Sequence, residues 1–205
     1  MSQAAMTTAQ LRPGVTLYLV RHGETDWNKQ ARYQGQADIP LNDTGRRQAA
    51  RNGGILRNLL PQIAHADFVS SPLSRARETM EILRGELGLD PGAFKQDGAL
   101  LELHYGHWEG HLACELPATD PEGVAGKQAD PFGWRPRGGE SYADLMERIA
   151  CWINALDRTT VAVTHGGVLR VARGALLGLD RREVPVLDVP QDKILVLRGL
   201  TMEWL

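Results

Sequence analysis

Two histidines and two arginines carry most of the chemistry legible in this chain. The apolar run "TLYLV" (16–20) ends on Arg21, His22 and Gly23. A later run, "TTVAVTHGG", ends on Thr164, His165, Gly166 and Gly167. Between them, "SSPLSRARET" places Arg75 on the opening turn of an expected helix. Arginine presents a planar fork matched to phosphate oxygens and stays charged at any working pH. The glycines after each histidine let backbone N–H groups approach a ligand and open helices whose positive ends face it. Gathered without a ligand, these side chains would repel one another. A dianionic phosphoryl group resolves that conflict.

The elements that would gather them follow from periodicity. The short apolar run at 16–20 reads as a strand buried on both faces, and 66–72 ("ADFVSSP"), 159–164 and the late "KILVLRG" read as further strands. Helical spacing relates Ala49, Gly53, Leu56 and Leu60 ahead of Pro61, and Ala76, Met80, Leu83 and Leu87 ahead of Gly88. Tyr142, Leu145, Ile149, Trp152 and Leu156 form the clearest stripe, with Ser141 as its N-cap. "VLRVARGALLG" adds a helix closed by Gly178. The alternation predicts a three-layer α/β/α sandwich with a mostly parallel central sheet. In such sheets ligands bind beyond the carboxyl ends of the strands, where Arg21, His22, Arg75 and His165 would meet.

Residues 1–15 read as a flexible N-terminal tail and 16–205 as a single domain. The glycine- and proline-rich stretch 104–140 breaks the rhythm and reads as an insertion over the site. The net charge of −2 offers no bulk attraction for nucleic acid or an acidic membrane. Two cysteines without a C-x-x-C pair indicate neither a disulfide scaffold nor a zinc knuckle. No signal-like or membrane-length apolar run is evident, so a cytoplasmic protein is expected.

Six blocks occur in order: "LYLVRHGETDWN", "YQGQADIPLNDTGRRQA", "VSSPLSRARET", "LLELHYGHWEG", "GGES" and "VTHGGVLR". Together they resemble the histidine phosphatase superfamily, also called phosphoglycerate-mutase-like. The resemblance implies that His22 is a nucleophile that becomes phosphorylated. It implies that Arg21, Arg75 and His165 hold the phosphoryl oxygens, with Asn28 as a further phosphate contact. Glu102 matches the general acid, and Gln34 and Gly35 match a loop that touches substrate. The chemistry is coherent in itself. Monoester hydrolysis needs acceleration of up to about 10²¹-fold, and its loose transition state spreads charge over oxygens that cations can stabilise. A small-molecule phosphomonoester is the expected partner, with no cofactor and no metal. A homodimer is left open.

Rival readings attach to several residues. Spacing does not choose between Glu102 and Glu109; the resemblance favours Glu102. His104, His107 and His111 have a spacing that could ligate a metal on a helix, but Gly106 and Gly110 oppose a helix there, so they are expected to line the substrate entrance. Trp108 and Trp134 are expected to pack on the leaving group; Arg135 and Arg137 read equally as contacts to a second anion or as ordinary surface arginines. Glycolytic mutases of the family carry an arginine directly after the catalytic glutamate; here that position is Leu103. The expected activity is therefore phosphomonoester hydrolysis. A phosphoglycerate-type mutase and a catalytically silent phosphate-ligand binder are the alternatives.

Overall fold

The computed structural model describes residues 8–63 and 65–205. In chain order the first elements are β1 (Thr16–Arg21), α1 (Asp26–Lys29), α2 (Asp43–Arg57), α3 (Leu60–Ile63), β2 (Asp67–Ser70), α4 (Ser74–Glu86) and β3 (Lys95–Gln96). There follow α5 (Leu116–Thr119), α6 (Pro121–Ala129), α7 (Tyr142–Ala155), β4 (Thr160–Thr164), α8 (Gly166–Leu177), β5 (Ile194–Arg198) and β6 (Thr201–Trp204).

The middle of β1, residues 17–20, is apolar because both of its faces are covered. Leu17 and Leu19 enter a core with Leu145, Ile149, Val168 and Leu169 of α7 and α8. Tyr18 and Val20 enter a second core with Leu56 of α2 and Met80 and Leu83 of α4. The six strands run β3-β2-β4-β1-β5-β6. The first four are mutually parallel, and β5 is antiparallel to both β1 and β6. The expected α/β/α sandwich with a mostly parallel sheet is the observed architecture.

β4 comes late in the chain yet lies between β2 and β1. Its register pairs Arg21 with Thr164 and Ser70 with Val163. Beyond the last pairs, the His22 amide donates to the Thr164 carbonyl (2.9 Å) and the Ser71 amide to the Val163 carbonyl (2.9 Å). His22, His165 and Ser71 therefore leave three adjacent strands at one level.

Local signals explain most boundaries. Ser141 and Asp144 form a reciprocal capping box at the start of α7. Gly88 and Gly178, at φ of +71° and +65°, close α4 and α8 in the left-handed region. Other boundaries differ from expectation. The expected helix across Leu60 ends at Arg57, capped by Asn58, and Pro61 sits inside the separate short α3. Residues 8–15 are no frayed tail: Ala9 and Leu11 are buried, and the Ala9 amide donates to the Ala175 carbonyl (3.1 Å). Residues 1–7 lie outside the described residues. β3 and β6, both short, carry no strong strand pattern. Among the described residues, no helix is long and apolar enough to cross a membrane.

Segment 104–140 is folded around Asp120. Its carboxylate accepts from the Trp108 indole (2.7 Å), the His107 imidazole (2.8 Å) and the Gly123 amide (3.0 Å). Trp108 is buried against Trp134, ring centroids 4.4 Å apart. It is the core of the insertion, which corrects the expectation that it meets a leaving group.

Two glycines test this packing. A Cβ on Gly23 would lie 2.2 Å from the Gly45 carbonyl oxygen, a backbone contact at the start of α2 that cannot yield locally. A Cβ on Gly54, inside α2, would meet nothing within 4 Å. In urea unfolding, Gly54→Ala is expected to raise stability by about 0.5–1 kcal/mol through helix propensity. Gly23→Ala is expected to lower it by about 1–3 kcal/mol through overpacking.

Candidate active site

At the carboxyl end of β1, the His22 ring is buried and its Nδ1 lies 2.7 Å from the Gly23 carbonyl oxygen. A carbonyl only accepts, so Nδ1 carries the proton and Nε2 keeps its lone pair. Burial, followed by the charges of Arg75 and Arg21, holds the His22 pKa well below 6.5. The ring is thus neutral near pH 7, oriented, and nucleophilic at Nε2. Gly23 does not open a helix, as was expected; it is needed because Gly45 packs against it. Its amide donates to Thr79 Oγ1 (3.1 Å), which donates to the Arg75 carbonyl (2.7 Å) and ties the strand end to α4.

His165 follows β4 as the N-cap residue of α8, with its ring centroid 5.1 Å from that of His22. Burial first, then Arg75, His22 and Arg21, holds its pKa well below 6.5 too. Burial in this cluster of cations favours its neutral form.

Arg75, on the first turn of α4, is fully buried. Its two terminal nitrogens donate to the Ala37 and Gly35 carbonyls, both at 2.7 Å. Burial pushes its pKa down to about 10, against the opposing pull of Glu102, so it stays charged at neutral pH. Arg21 donates to the Val189 carbonyl (2.8 Å), and burial likewise lowers its pKa, again opposed chiefly by Glu102. Among the described residues five buried side-chain nitrogens have no hydrogen-bond partner, and three of them, Arg21 Nε, Arg75 Nε and His165 Nδ1, lie in this cluster. Orphaned buried donors are rare, and three in one cluster fit an anion.

The two carboxylates are now distinguished. Glu109 accepts from the backbone amides of Gln36 (2.9 Å), Ala37 (3.1 Å) and Tyr105 (3.2 Å). It holds the loop that Arg75 grips from the other side, and Gly35 lacks a Cβ because one would strike Glu109 Oε1 at 2.0 Å. Glu102 instead accepts from Leu103 N (2.8 Å) and from Gly167 N (3.1 Å) at the start of α8. It is the carboxylate whose charge acts most strongly on both Arg21 and Arg75. Arg148 braces its segment by donating to the Leu101 carbonyl (3.0 Å) while pairing with Glu140.

The remaining expected residues sit in the surrounding frame. Asn28 Oδ1 accepts from the Thr25 amide in a capping box and from Gln191 Nε2, which also donates to the His22 carbonyl. Gln34 Oε1 accepts from Thr25 Oγ1 (2.8 Å). Gly35, at φ +53°, offers its carbonyl to Arg75. His104, His107 and His111 face three separate carboxylates, those of Glu109, Asp120 and Glu115, and do not converge on a metal. Arg135 is paired with Asp144 at 2.6 Å; Arg137 lines a cavity of about 450 Å³ with His107 and Trp134. Sequence reasoning missed Arg170, which donates to the Leu187 carbonyl and faces the buried Tyr142 and Tyr105 hydroxyls. It also missed Gln191, whose position in an irregular loop gives no local signal.

Comparisons with known proteins identify the family. Residues 17–204 match the family described as histidine phosphatase superfamily (branch 1). A glucosyl-3-phosphoglycerate phosphatase of Mycolicibacterium vanbaalenii is 36% identical over 183 residues, covering 83% of this chain and 78% of the relative. Phosphoserine phosphatase 1 of Hydrogenobacter thermophilus is 33% identical over 172 residues, covering 81% and 78%. A solved mycobacterial glucosyl-3-phosphoglycerate phosphatase, in complex with VO3, superposes with a TM-score of 0.75 at 30% identity, covering 93% and 96%. The matched length, the shared fold and the strand-end cluster lead to one assignment: the chain belongs to branch 1 of the histidine phosphatase superfamily.

Proposed function

We propose that this protein hydrolyses a small phosphomonoester through a phosphohistidine on His22, with Glu102 as general acid and then base. The observation that carries the reading is His22: buried, neutral, and held by Gly23 so that Nε2 keeps its lone pair. In the first step Nε2 attacks phosphorus in line, the bond to the leaving oxygen breaks, and the Glu102 carboxyl proton passes to that oxygen. In the second, a water gives its proton to Glu102 and attacks phosphorus, breaking the P–N bond and releasing phosphate. Arg21, Arg75 and His165 donate to the equatorial oxygens, so their charge and dipoles serve where other phosphoryl-transfer enzymes use metal ions.

Hydrolysis is favoured over mutase transfer by the position after Glu102. Leu103 is buried in the core and offers no cation to a substrate carboxylate. The activities named for similar proteins, on glucosyl-3-phosphoglycerate and on phosphoserine, support a phosphorylated metabolite as substrate.

A panel of phosphomonoesters assayed with EDTA tests the reading. Phosphate release by the wild type is expected to persist, and His22→Ala to lose at least about 10³-fold in kcat, as for a covalent nucleophile. Undiminished release by His22→Ala would overturn it. Glu102→Gln is expected to slow alkyl esters far more than p-nitrophenyl phosphate, whose leaving group needs no proton; equal slowing would remove the acid role.

The two neutral histidines also set a pH dependence of stability. Their folded pKa values lie well below 6.5, so the unfolded chain binds more protons under acid conditions. Their stabilising contribution is present above pH 6.5 and declines progressively below it. Urea midpoints taken across pH 7 to 5 are expected to fall, and His165→Gln to flatten the slope.

A further inference from the structure

We propose that Ser71 is a positioning residue that fixes the tautomer of His165, so that the neutral ring donates to a phosphoryl oxygen through Nδ1–H. The inference rests on the phosphoryl-binding reading above for its last step, but not for the tautomer itself.

The geometry is an accounting of protons. Ser71 is fully buried at the end of β2, and its Oγ lies 2.7 Å from His165 Nε2. The same oxygen accepts from the Leu73 amide at 3.5 Å. The neighbouring Ser70 hydroxyl is directed elsewhere, donating to the Ser71 carbonyl at 2.9 Å. A hydroxyl carries one proton and two lone pairs. With the Leu73 N–H already arriving at the oxygen, the Ser71 proton is the one available for the contact with His165. If Nε2–H were the donor instead, that hydroxyl proton would be buried with no acceptor, which is costly. Nε2 is therefore the acceptor. On a neutral imidazole the proton must then sit on Nδ1.

The other edge of the ring agrees. His165 Nδ1 is buried and has no hydrogen-bond partner. It shares this condition with Arg21 Nε and Arg75 Nε in the same cluster, and with Arg77 Nε and Arg173 Nε outside it; the three in the cluster are donors available to one anion. Burial first, then the charges of Arg75, His22 and Arg21, lowers the pKa of the ring and favours its neutral form, so the donor is selected by tautomer. His22 has the same proton arrangement by a different device, the Gly23 carbonyl at its Nδ1. One ring is set by a carbonyl that receives a proton, the other by a hydroxyl that supplies one.

Long-range ¹H–¹⁵N spectra of the imidazoles, recorded on wild type and Ser71→Ala with and without inorganic phosphate, test this. The wild type is expected to show His165 protonated at Nδ1 only, with that nitrogen shifting on phosphate addition. Ser71→Ala is expected to show mixed tautomers, about tenfold weaker phosphate binding and a similar loss in kcat/KM, with an unchanged signal for the His22 tautomer. Ser71→Thr, which keeps the hydroxyl, is expected to restore the Nδ1–H form. A wild-type His165 protonated at Nε2, or a Ser71→Ala protein with unchanged tautomer and phosphate affinity, overturns the proposal. An Nδ1–H tautomer lost in Ser71→Ala, in a protein that never hydrolyses a monoester, supports the Ser71 role while sinking the hydrolase reading.

Discussion

The pairing of Arg21 with Thr164 across β1 and β4, and of Ser70 with Val163 across β4 and β2, is the constraint on which the site depends. It brings three strand ends level, and the next residue of each enters the cluster: His22, His165 and Ser71. A one-residue slip would turn every core side chain of the strand to the opposite face. The two cores forbid this, since Leu17 and Leu19 fill one and Tyr18 and Val20 the other. Hydrophobic patterning thus holds polar groups in a geometry that they would not hold alone.

Those groups are costly to gather. The buried Arg75, the half-buried Arg21 and two buried histidines lie together, and desolvation works against the charged form of each. The fold offsets this with backbone dipoles. Arg21 and Arg75 donate to the carbonyls of Val189, Ala37 and Gly35, and neither forms an ion pair among the described residues. Carbonyls satisfy guanidinium protons without cancelling their charge, so the positive potential persists for a dianion. Glu102, the carboxylate that acts most strongly on both arginines, is held by its neighbour Leu103 N and by Gly167 N at the start of α8, where Gly167 lacks the Cβ that would meet Glu102 Oε1 at 2.4 Å.

Much of this was legible in the sequence because the informative residues are local. The apolar runs marked the strands, and Arg21, His22 and His165 follow them directly. Gly88, Ser141 and Gly178 marked helix ends by conformational preference or capping alone. What stayed hidden depends on contacts far along the chain. Glu102 and Glu109 lie seven positions apart in similar surroundings, and only the fold shows that one holds a loop and the other faces the arginines. Trp108 read as a binding surface because aromatic residues near a site serve both roles; its indole bond to Asp120 makes it core. Gly23 read as a helix opener, whereas its reason is the backbone of Gly45. Residues 8–15 lack strand or helix periodicity, yet Ala9 and Leu11 pack into the core.

The central claim is that the neutral, buried His22 takes the phosphoryl group on Nε2. Rapid acid-free quenching of wild-type enzyme during turnover of a good monoester, followed by peptide mass spectrometry and ³¹P NMR, addresses it directly. The account predicts one phosphate on His22, stable in alkali, labile in acid, and attached at Nε2. Steady hydrolysis with no labelled protein at any quench time, or a label on another residue, would contradict it.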